Sequence, residues 1–423
     1  MTDLAWINNA LTSSRPQVLG ALLRYFRNLD TAEDAFQEAC LRALKSWPVN
    51  GPPRDPAAWL IFVARNFAVD ELRRRKKHDP LPPEDLVADP QDSHAALAER
   101  LDASHYRDDI LRLLFICCHP DLPVTQQIAL ALRIVSGLTV KEIARAFLVT
   151  ESAMEQRITR AKSRIAAAEV AFDSPGAVER AERLAAVAAM IYLLFNEGYS
   201  ASGGTVHVRV QLCEEAIRLA RLLLRLFPAE TEIMGLTALL LLQHARAGAR
   251  LDAENNIVLL EDQDRRLWNR ELIAEGSALV DKALRHQQAG PYQVQAAIAA
   301  VHAQAAAPED TDWAEIDRLY EILEALQPSP VVTLNRAVAI AKLQGPAQAL
   351  SMIEPLAARL GGYFHFFGLK GALLMQLGRA EEARAAFDRA IALADSAAEA
   401  AHIRLHLDRL AKDSVPRDST QAS

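Results

Sequence analysis

The sequence predicts an all-α protein, and three observations lead to that prediction. Aromatic residues make up only 6 % of the 423 residues, and the chain has 17 glycines and 20 prolines. Apolar residues recur at three- and four-residue spacing along most of the chain, as they do on the buried face of a helix. Segment 205–210 alternates like a strand, but helical spacing takes over by Leu212, so we interpret it as a loop entering a helix. This pattern favours helix over a β-sandwich or barrel.

The charge of the chain is unevenly distributed. The net charge is −7 overall, but residues 1–80 carry +3 and residues 106–170 carry +2, while 81–105 carry −5. The acidic total therefore does not exclude nucleic acid as a partner of the basic blocks. We expect a domain at 1–78, an acidic linker at 79–105, a second domain at 106–170, a helical domain at 176–412 and a disordered tail at 413–423.

The cellular compartment follows from cysteine usage and hydropathy. Four cysteines without a CxxC pattern argue against a disulfide scaffold and a zinc ribbon. The N-terminal segment lacks the pattern of a secretory signal, and no segment is apolar enough to span a bilayer. We therefore expect a cytoplasmic protein without membrane contact.

The first informative helix is predicted at Thr31–Trp47. Its buried stripe includes Phe36 and Trp47, and Thr31 with Asp34 resembles a capping box. The opposite face, expected to be exposed, carries Glu33, Asp34, Gln37, Glu38 and Arg42.

A second helix is predicted after a proline-rich loop at 48–55. Asp55 is expected to cap it and Pro56 to occupy its first position. The helix runs to about residue 78 and ends in five basic residues, 73–77. Basic side chains are favoured at a helix C-terminus in any case, so a solvated face and a nucleic-acid contact both remain open. Aromatic side chains of this helix could stack on unpaired bases or belong to the core; these are Trp59, Phe62 and Phe67.

A two-helix unit at 139–166 gives the sharpest signal. Thr139 and Glu142 form a predicted capping box for its first helix. In its second helix an apolar stripe, Met154, Ile158, Ala161 and Ile165, leaves polar and basic side chains on the opposite face. Such a face suits base readout and phosphate anchoring in a major groove, although an ordinary helical hairpin with a solvated face fits as well.

Together these segments resemble the sigma-70 family, specifically its extracytoplasmic-function (ECF) type. The segments are 29–47, 58–77 and 137–165, which resemble regions 2.1–2.2, 2.3–2.4 and 4.2. The resemblance implies contacts with core RNA polymerase by Asp34, Gln37, Glu38 and Leu41. It implies contacts with the −10 element by Arg65, Asn66, Asp70, Arg73 and Arg74, and with the −35 element by Gln156, Arg157, Arg160, Lys162 and Arg164. Leu148 in the turn and the segment 115–132 depart from the family pattern.

The region from 176 onward shows a repeat. Leu343 and Leu377, Ala349 and Ala383, and Ile353 and Phe387 are each separated by 34 residues, the length of a tetratricopeptide repeat. Four segments resemble a narrower group of ECF sigma factors with a tetratricopeptide-like C-terminal domain: 191–199, 258–268, 291–303 and 328–339. That resemblance implies regulation in cis, and a protein or small ligand as partner of this domain.

Three clusters remain open to more than one interpretation. Cys117, Cys118 and His119 could ligate a metal, but buried apolar cysteines fit better. Glu261, Asp262 and Asp264 do not complete an EF-hand, and ion pairs with Arg265 and Arg266 are expected. The segment 196–199 could line a ligand pocket or close a helix C-terminus.

The sequence therefore predicts a sigma factor with no catalytic residue, cofactor or metal site. It is expected to bind core polymerase and promoter DNA. Two alternatives remain: a tetratricopeptide scaffold, and a helix-turn-helix regulator that acts without polymerase core.

Overall fold

The computed structural model describes residues 5–51, 53–75, 103–147, 149–167, 177–199, 206–252, 257–394 and 397–413. These residues form helices joined by turns and loops, which confirms the all-α prediction, and their sole extended pairing is the isolated bridge Leu251–Ile257. The chain divides into two compact units, Met1–Leu194 and Phe195–Ser423. No helix of the described segments is long and apolar enough to cross a bilayer. Most of the predicted linker and all of the predicted tail after Asp413 lie outside the described residues.

The first unit contains seven helices among its described residues and the greater part of an eighth. They are α1 (Ala5–Phe26), α2 (Leu29–Asn50), α3 (Pro56–Arg75), α4 (Ala103–Cys117), α5 (Val124–Ala131), α6 (Val140–Ala146), α7 (Glu151–Ala167) and α8 (Ala177–Tyr199). A π-helical turn, Leu132–Ser136, continues α5. The boundary between the two units falls inside α8.

Helix α2 is longer at both ends than its sequence indicates. The side chain of Asn28 caps it by accepting a hydrogen bond from the Thr31 amide at 2.9 Å, so the predicted Thr31 cap is wrong. Pro48 lies in the last turn, and the amide of Gly51 still bonds the Trp47 carbonyl at 2.9 Å. The predicted break therefore comes after Asn50 rather than at Pro48.

The predicted starts of α3 and of the two-helix unit are confirmed. The Asp55 carboxylate accepts the Ala58 amide at 3.0 Å, and α3 begins at Pro56. Thr139 and Glu142 form both bonds of the capping box at α6. These caps satisfy amides that a helix N-terminus leaves without intrahelical partners.

The core of the first three helices is aromatic and aliphatic. Trp47 is fully buried, stacked on Trp6 at 6.0 Å and edge-on to Trp59 at 5.4 Å between ring centroids. Trp59 therefore packs within the protein, as the core interpretation expects. Helix α4 packs on α1 so closely that a Cβ at Gly20 would come within 2.8 Å of the Asp109 backbone.

The second unit continues the helical architecture. Its helices are α9 (Val206–Leu226), α10 (Thr231–His244), α11 (Arg270–Leu284), α12 (Pro291–Gln304), α13 (Trp313–Leu326), α14 (Pro330–Gln344), α15 (Pro346–Ile353), α16 (Ala357–Leu360), α17 (Phe364–Gln376), α18 (Ala380–Ala392) and α19 (Ala397–Asp413). Short 3-10 turns include Leu260–Asp262, Arg265–Leu267 and Pro308–Asp310. Helix α9 begins at Val206, so residues 206–210 are already helical and not the loop that the sequence indicates.

The repeat of 34 residues is visible in the helices themselves. Helices α14 and α17 begin 34 residues apart, as do α15 and α18. Ala349 and Ala383 are both fully buried, and so are Ile353 and Phe387. A Cβ at Gly371 would lie 2.5 Å from the Phe387 ring, so a glycine is needed where α17 meets α18. The tetratricopeptide assignment of this repeat stays a prediction.

Candidate nucleic-acid interface

One face of α2 is left open within the first unit. Asp34 and Gln37 are exposed, and Leu41 is 54 % exposed. Glu38 is half-buried and accepts a hydrogen bond from Arg42 at 2.9 Å. These positions follow helical spacing on one side of the helix. The four residues predicted to bind core polymerase therefore form a continuous acidic and apolar strip, hereafter the α2 face.

Helix α3 presents two of the five residues predicted to contact the −10 element. Asn66 is exposed, and the half-buried Arg65 places its guanidinium 4.6 Å from the centroid of the Tyr25 ring. This geometry is a cation–π contact that holds the Arg65 side chain. The side chains of Asp70, Arg73 and Arg74 lie outside the described part of the protein, although the backbone there is helical.

Helix α7 has the two-sided character that its sequence predicts. The apolar stripe, Met154, Ile158, Ala161 and Ile165, is buried. Gln156, Arg160 and Arg164 are exposed, and Arg157 is half-buried. No ion pair joins these three arginines to another described residue. Their guanidinium groups are thus available to phosphates and base edges.

Lys162 is arranged differently from its neighbours on α7. Its Nζ atom lies 2.7 Å from Asp30 Oδ1 and 2.6 Å from Glu33 Oε2. Burial alone would lower the pKa of this ammonium group, but the hydrogen bonds that it donates to the two carboxylates outweigh burial and raise the pKa of Lys162. In this structure Lys162 is therefore held by α2 and is not presented to DNA.

Glu33 is the centre of a buried ionic cluster. Its side chain is 5 % exposed, so the prediction that it lies on the exposed face is wrong. Besides Lys162, it is approached by Arg15 at 3.4 Å and Arg133 at 3.8 Å. Arg15 also donates to the carbonyls of Arg133 at 3.1 Å and Ile134 at 2.9 Å. We call these four side chains, Glu33, Arg15, Arg133 and Lys162, the Glu33 cluster.

The Glu33 cluster joins four elements that are distant in sequence: α1, α2, the π-turn and α7. A buried charge is tolerated only when it is paired and hydrogen-bonded, and each member of the cluster meets that condition. The one feature of the sequence that could have indicated a buried Glu33 is its position between Ala32 and Ala35, which are both buried. Nothing in the sequence pairs residue 15 with residue 133, because their contact depends on tertiary packing.

The remaining sequence candidates have structural explanations. Cys117 and Cys118 are buried, and burial raises the pKa of Cys118 to about 12, so its thiol stays neutral. Among the described residues no three His, Cys, Asp or Glu side chains group as metal ligands. At the end of α8, Arg250 donates to the Tyr199 carbonyl at 2.7 Å and lies over the Tyr199 ring. That contact matches the interpretation in which this segment closes a helix C-terminus.

The carboxylates of segment 261–264 pair only partly as expected. Asp264 bonds Arg266, as predicted, and these hydrogen bonds lower the pKa of Asp264 to about 2. Glu261 instead pairs with Lys342 at 2.7 Å. Arg265 turns inward, is buried, and forms no ion pair with a described residue. The predicted pairing of Arg265 with this segment is therefore wrong.

Comparison with known proteins places both parts of the first unit in one family. Residues 11–78 match sigma-70 region 2, and residues 112–165 match sigma-70 region 4. Residues 183–284 match a family of unknown function, DUF6596. An uncharacterized protein of Rhizobium meliloti (strain 1021) is 69 % identical over 413 residues, which cover 98 % of each chain. The ECF RNA polymerase sigma factor SigM of Mycobacterium tuberculosis is 29 % identical over 140 residues, 33 % of this chain and 65 % of that protein.

A helical unit that carries both a region 2 and a helix-turn-helix region 4 defines a transcription initiation factor. More particularly, the chain belongs to the sigma-70 family as a sigma factor of the ECF type with a C-terminal extension. This family consists of non-enzymatic transcription factors.

Proposed function

We propose that this protein binds core RNA polymerase in the cytoplasm, directs it to specific promoters and is regulated in cis by its C-terminal helical domain. The observation that carries the proposal is the pair of open faces in the first unit. The α2 face offers acidic and apolar side chains, and α7 offers guanidinium groups without carboxylate partners. Polymerase performs the chemistry, and this chain supplies promoter choice and strand opening.

The α2 face is the proposed surface for core polymerase. Leu41 is 54 % exposed, and Leu44 is 42 % exposed one turn further along. Large exposed apolar side chains beside acidic ones are typical of a protein interface. Asp34, Gln37 and Glu38 would supply polar contacts around them.

A pull-down with core polymerase tests this surface. Leu41→Glu should lower core affinity at least tenfold, since it places a charge in the apolar part of the interface. Leu405→Glu is the matched control, because Leu405 is 51 % exposed on α19 of the second unit. Equal retention of both variants on core polymerase would contradict the assignment of the α2 face.

Promoter recognition is assigned to α3 and α7. Arg65, Asn66, Asp70, Arg73 and Arg74 are proposed to contact the −10 element. Gln156, Arg157, Arg160 and Arg164 are proposed to contact the −35 element from the open side of α7. Lys162 would join them only after its ion pairs with Asp30 and Glu33 break.

The second unit is proposed to be required for activity. Helical repeats stack into extended surfaces that suit protein or small-molecule partners. The test removes everything after Leu194, because Arg183 stacks over Phe115 and belongs to the first unit. We expect the truncated chain to fold and to bind core polymerase, but to lose run-off transcription. A truncated chain more active than the full chain would show autoinhibition instead.

The same experiments separate the alternatives. A tetratricopeptide scaffold would retain neither core polymerase nor promoter DNA. A helix-turn-helix regulator that acts alone would bind DNA without polymerase, and Leu41→Glu would leave that binding unchanged.

A further inference from the structure

The second unit contains a cavity of about 610 Å³, which lies between α12, α13, α14 and the 3-10 turns at 260–262 and 308–310. Its size falls in the range of small-molecule sites. Three separate sequence segments meet around it, 258–268, 291–303 and 328–339. The proposed contacts with polymerase and promoter use none of its residues.

Arg265 contributes the only buried cation of the described cavity lining. Its side chain donates to the backbone carbonyls of His302, at 3.0 Å, and of Ala305, and it reaches Thr311 Oγ1 at 3.5 Å. Its Nε–H group is buried and has no hydrogen-bond partner in the described protein. No carboxylate of a described residue forms an ion pair with it.

The hydrogen bonds and charges around Arg265 do not fully compensate for the burial of its guanidinium group. A buried guanidinium group needs both hydrogen bonds and a counter-charge. Backbone carbonyls supply the hydrogen bonds, whereas Asp310 and Glu309 attract Arg265 only from beyond ion-pair distance. A carboxylate in the cavity would supply a counter-charge in direct contact with the guanidinium group and an acceptor for its unpaired Nε–H group. The inner part of the cavity is therefore suited to an anionic group.

The walls around Arg265 are aromatic and aliphatic. Ile316 is 1 % exposed, and the rings of His302 and Trp313 meet edge-on at 5.3 Å. Burial lowers the pKa of His302 to about 4 and raises the pKa of Tyr320 to about 12. Both side chains are consequently neutral at pH 7 and suit the apolar body of a ligand.

The exposed side chains of the cavity lining limit the charge of the ligand. Glu261, Asp262 and Glu309 are exposed lining residues, and Lys342 is already paired with Glu261. These three carboxylates outnumber the single ammonium group, which is already paired. They would therefore repel a second anionic group at the end of the ligand that lies away from Arg265. A nucleotide or another polyanion therefore fits the cavity poorly.

We propose that this cavity binds a small organic monocarboxylate with an apolar or aromatic body, its carboxylate facing Arg265 and its body lying against Ile316, Trp313 and Tyr320. The inference concerns binding by the second unit and does not depend on the proposed role in transcription.

Ligand-observed NMR on the full chain tests the charge preference with three probes of one shape. Phenylacetate should bind with a Kd of about 1 mM, as befits a ligand of this size. Phenylacetamide and phenethylamine, which lack the negative charge, should bind at least tenfold more weakly. Equal or tighter binding of the amine would show that the exposed carboxylates of the lining govern recognition and would overturn the proposal, as would the absence of phenylacetate binding.

Two variants locate the site. Val338 lines the cavity and is 36 % exposed, so Val338→Trp should fill part of the cavity and weaken phenylacetate binding at least tenfold. Leu343→Trp is the control on the same helix, since Leu343 is 44 % exposed and outside the cavity lining. Unchanged binding to Val338→Trp would place phenylacetate elsewhere and overturn the proposal.

Arg265→Gln tests the guanidinium directly and should abolish the preference for phenylacetate over phenylacetamide. A retained preference in the folded variant would overturn the role of Arg265. If Arg265→Gln fails to fold, the comparison of Val338→Trp with Leu343→Trp still tests whether phenylacetate binds in the cavity. The three probes then test whether the site prefers a negatively charged ligand.

Discussion

The two units contain ionic clusters that are opposite in composition. In the first unit one carboxylate, Glu33, is approached by three cations. In the second unit one cation, Arg336, pairs with three carboxylates, Asp317, Glu321 and Glu324. The Glu33 side chain is 5 % exposed and that of Arg336 is 18 % exposed.

The clusters also differ in what they connect. The Arg336 cluster joins two consecutive helices, α13 and α14, which would pack together as a hairpin without it. The Glu33 cluster joins parts of region 2 with the helix-turn-helix of region 4, which lie more than 100 residues apart in sequence. Similar numbers of ion pairs therefore have different consequences: one cluster reinforces a local hairpin, and the other holds two functional regions against each other.

The largest effect is expected for Glu33→Gln, which keeps the shape of the side chain but leaves three cations without their shared carboxylate. Removing one partner of a buried ion pair costs about 3–5 kcal/mol. Hydrogen exchange should show the loss of protection in α1, α2 and α7, with α13 and α14 unchanged. A uniform loss of protection across both units, or no loss at all, would contradict the conclusion that the Glu33 cluster stabilises the first unit alone.

The next effect separates two residues on one helix. Arg160→Ala should weaken promoter binding by about 1–3 kcal/mol, because Arg160 is exposed and unpaired. Its melting temperature should stay that of the parent protein. Lys162→Met should instead lower the melting temperature, since it breaks the pairs with Asp30 and Glu33.

Promoter binding and thermal melting measured on both variants distinguish these roles. If Arg160→Ala lowered the melting temperature and left DNA affinity intact, Arg160 would be structural.

A smaller effect is expected for Arg336→Gln. Its carboxylate partners are partly solvated once the guanidinium is lost, so the variant should lose about 1–2 kcal/mol. Hydrogen exchange should confine the change to α13 and α14. Loss of protection in α1 or α2 would show that this cluster is not local.

The smallest effect is a pH dependence in the second unit. The folded-state pKa of His302, about 4, lies below its usual value of 6.5, so the unfolded chain binds more protons between these limits. Stability from this group is complete above pH 6.5 and falls as the pH is lowered towards 4. At pH 6 the loss is about 1 kcal/mol. His302→Gln should remove that part of the pH profile, measured by hydrogen exchange in α12, and an unchanged profile would contradict it.

Local signals in the sequence predicted much of the first unit. The caps at Asp55 and Thr139 and the buried stripe of α7 depend on neighbouring residues, so periodicity and cap chemistry were sufficient. The start of α2 was missed because Asn28 competes with Thr31 as the cap, and both residues favour that position.

The burial of Glu33 and the partners of Arg265 could not be predicted from the sequence, because both depend on tertiary contacts. Glu33 looks like a surface residue until α1 and α7 bring Arg15 and Lys162 to it. Arg265 was expected to pair with its neighbouring carboxylates, but the end of α12 offers it carbonyl acceptors in the interior. In each case the spacing of apolar residues carries no information about which charge lies across the interface.

The π-turn Leu132–Ser136 limits how many residues can separate α5 from α6. A π-turn is an α-helix with one residue inserted, and the extra residue rotates all that follows by about 100° relative to an uninterrupted helix. Here it directs the carbonyls of Arg133 and Ile134 towards Arg15, and it ends at Gly137, whose φ of +76° and closeness to Arg15 exclude a side chain. A one-residue deletion within 132–136 would restore regular helix yet turn these acceptors away. Homologous chains that share this contact should therefore conserve the residue count between α5 and α6 more strictly than the residues themselves.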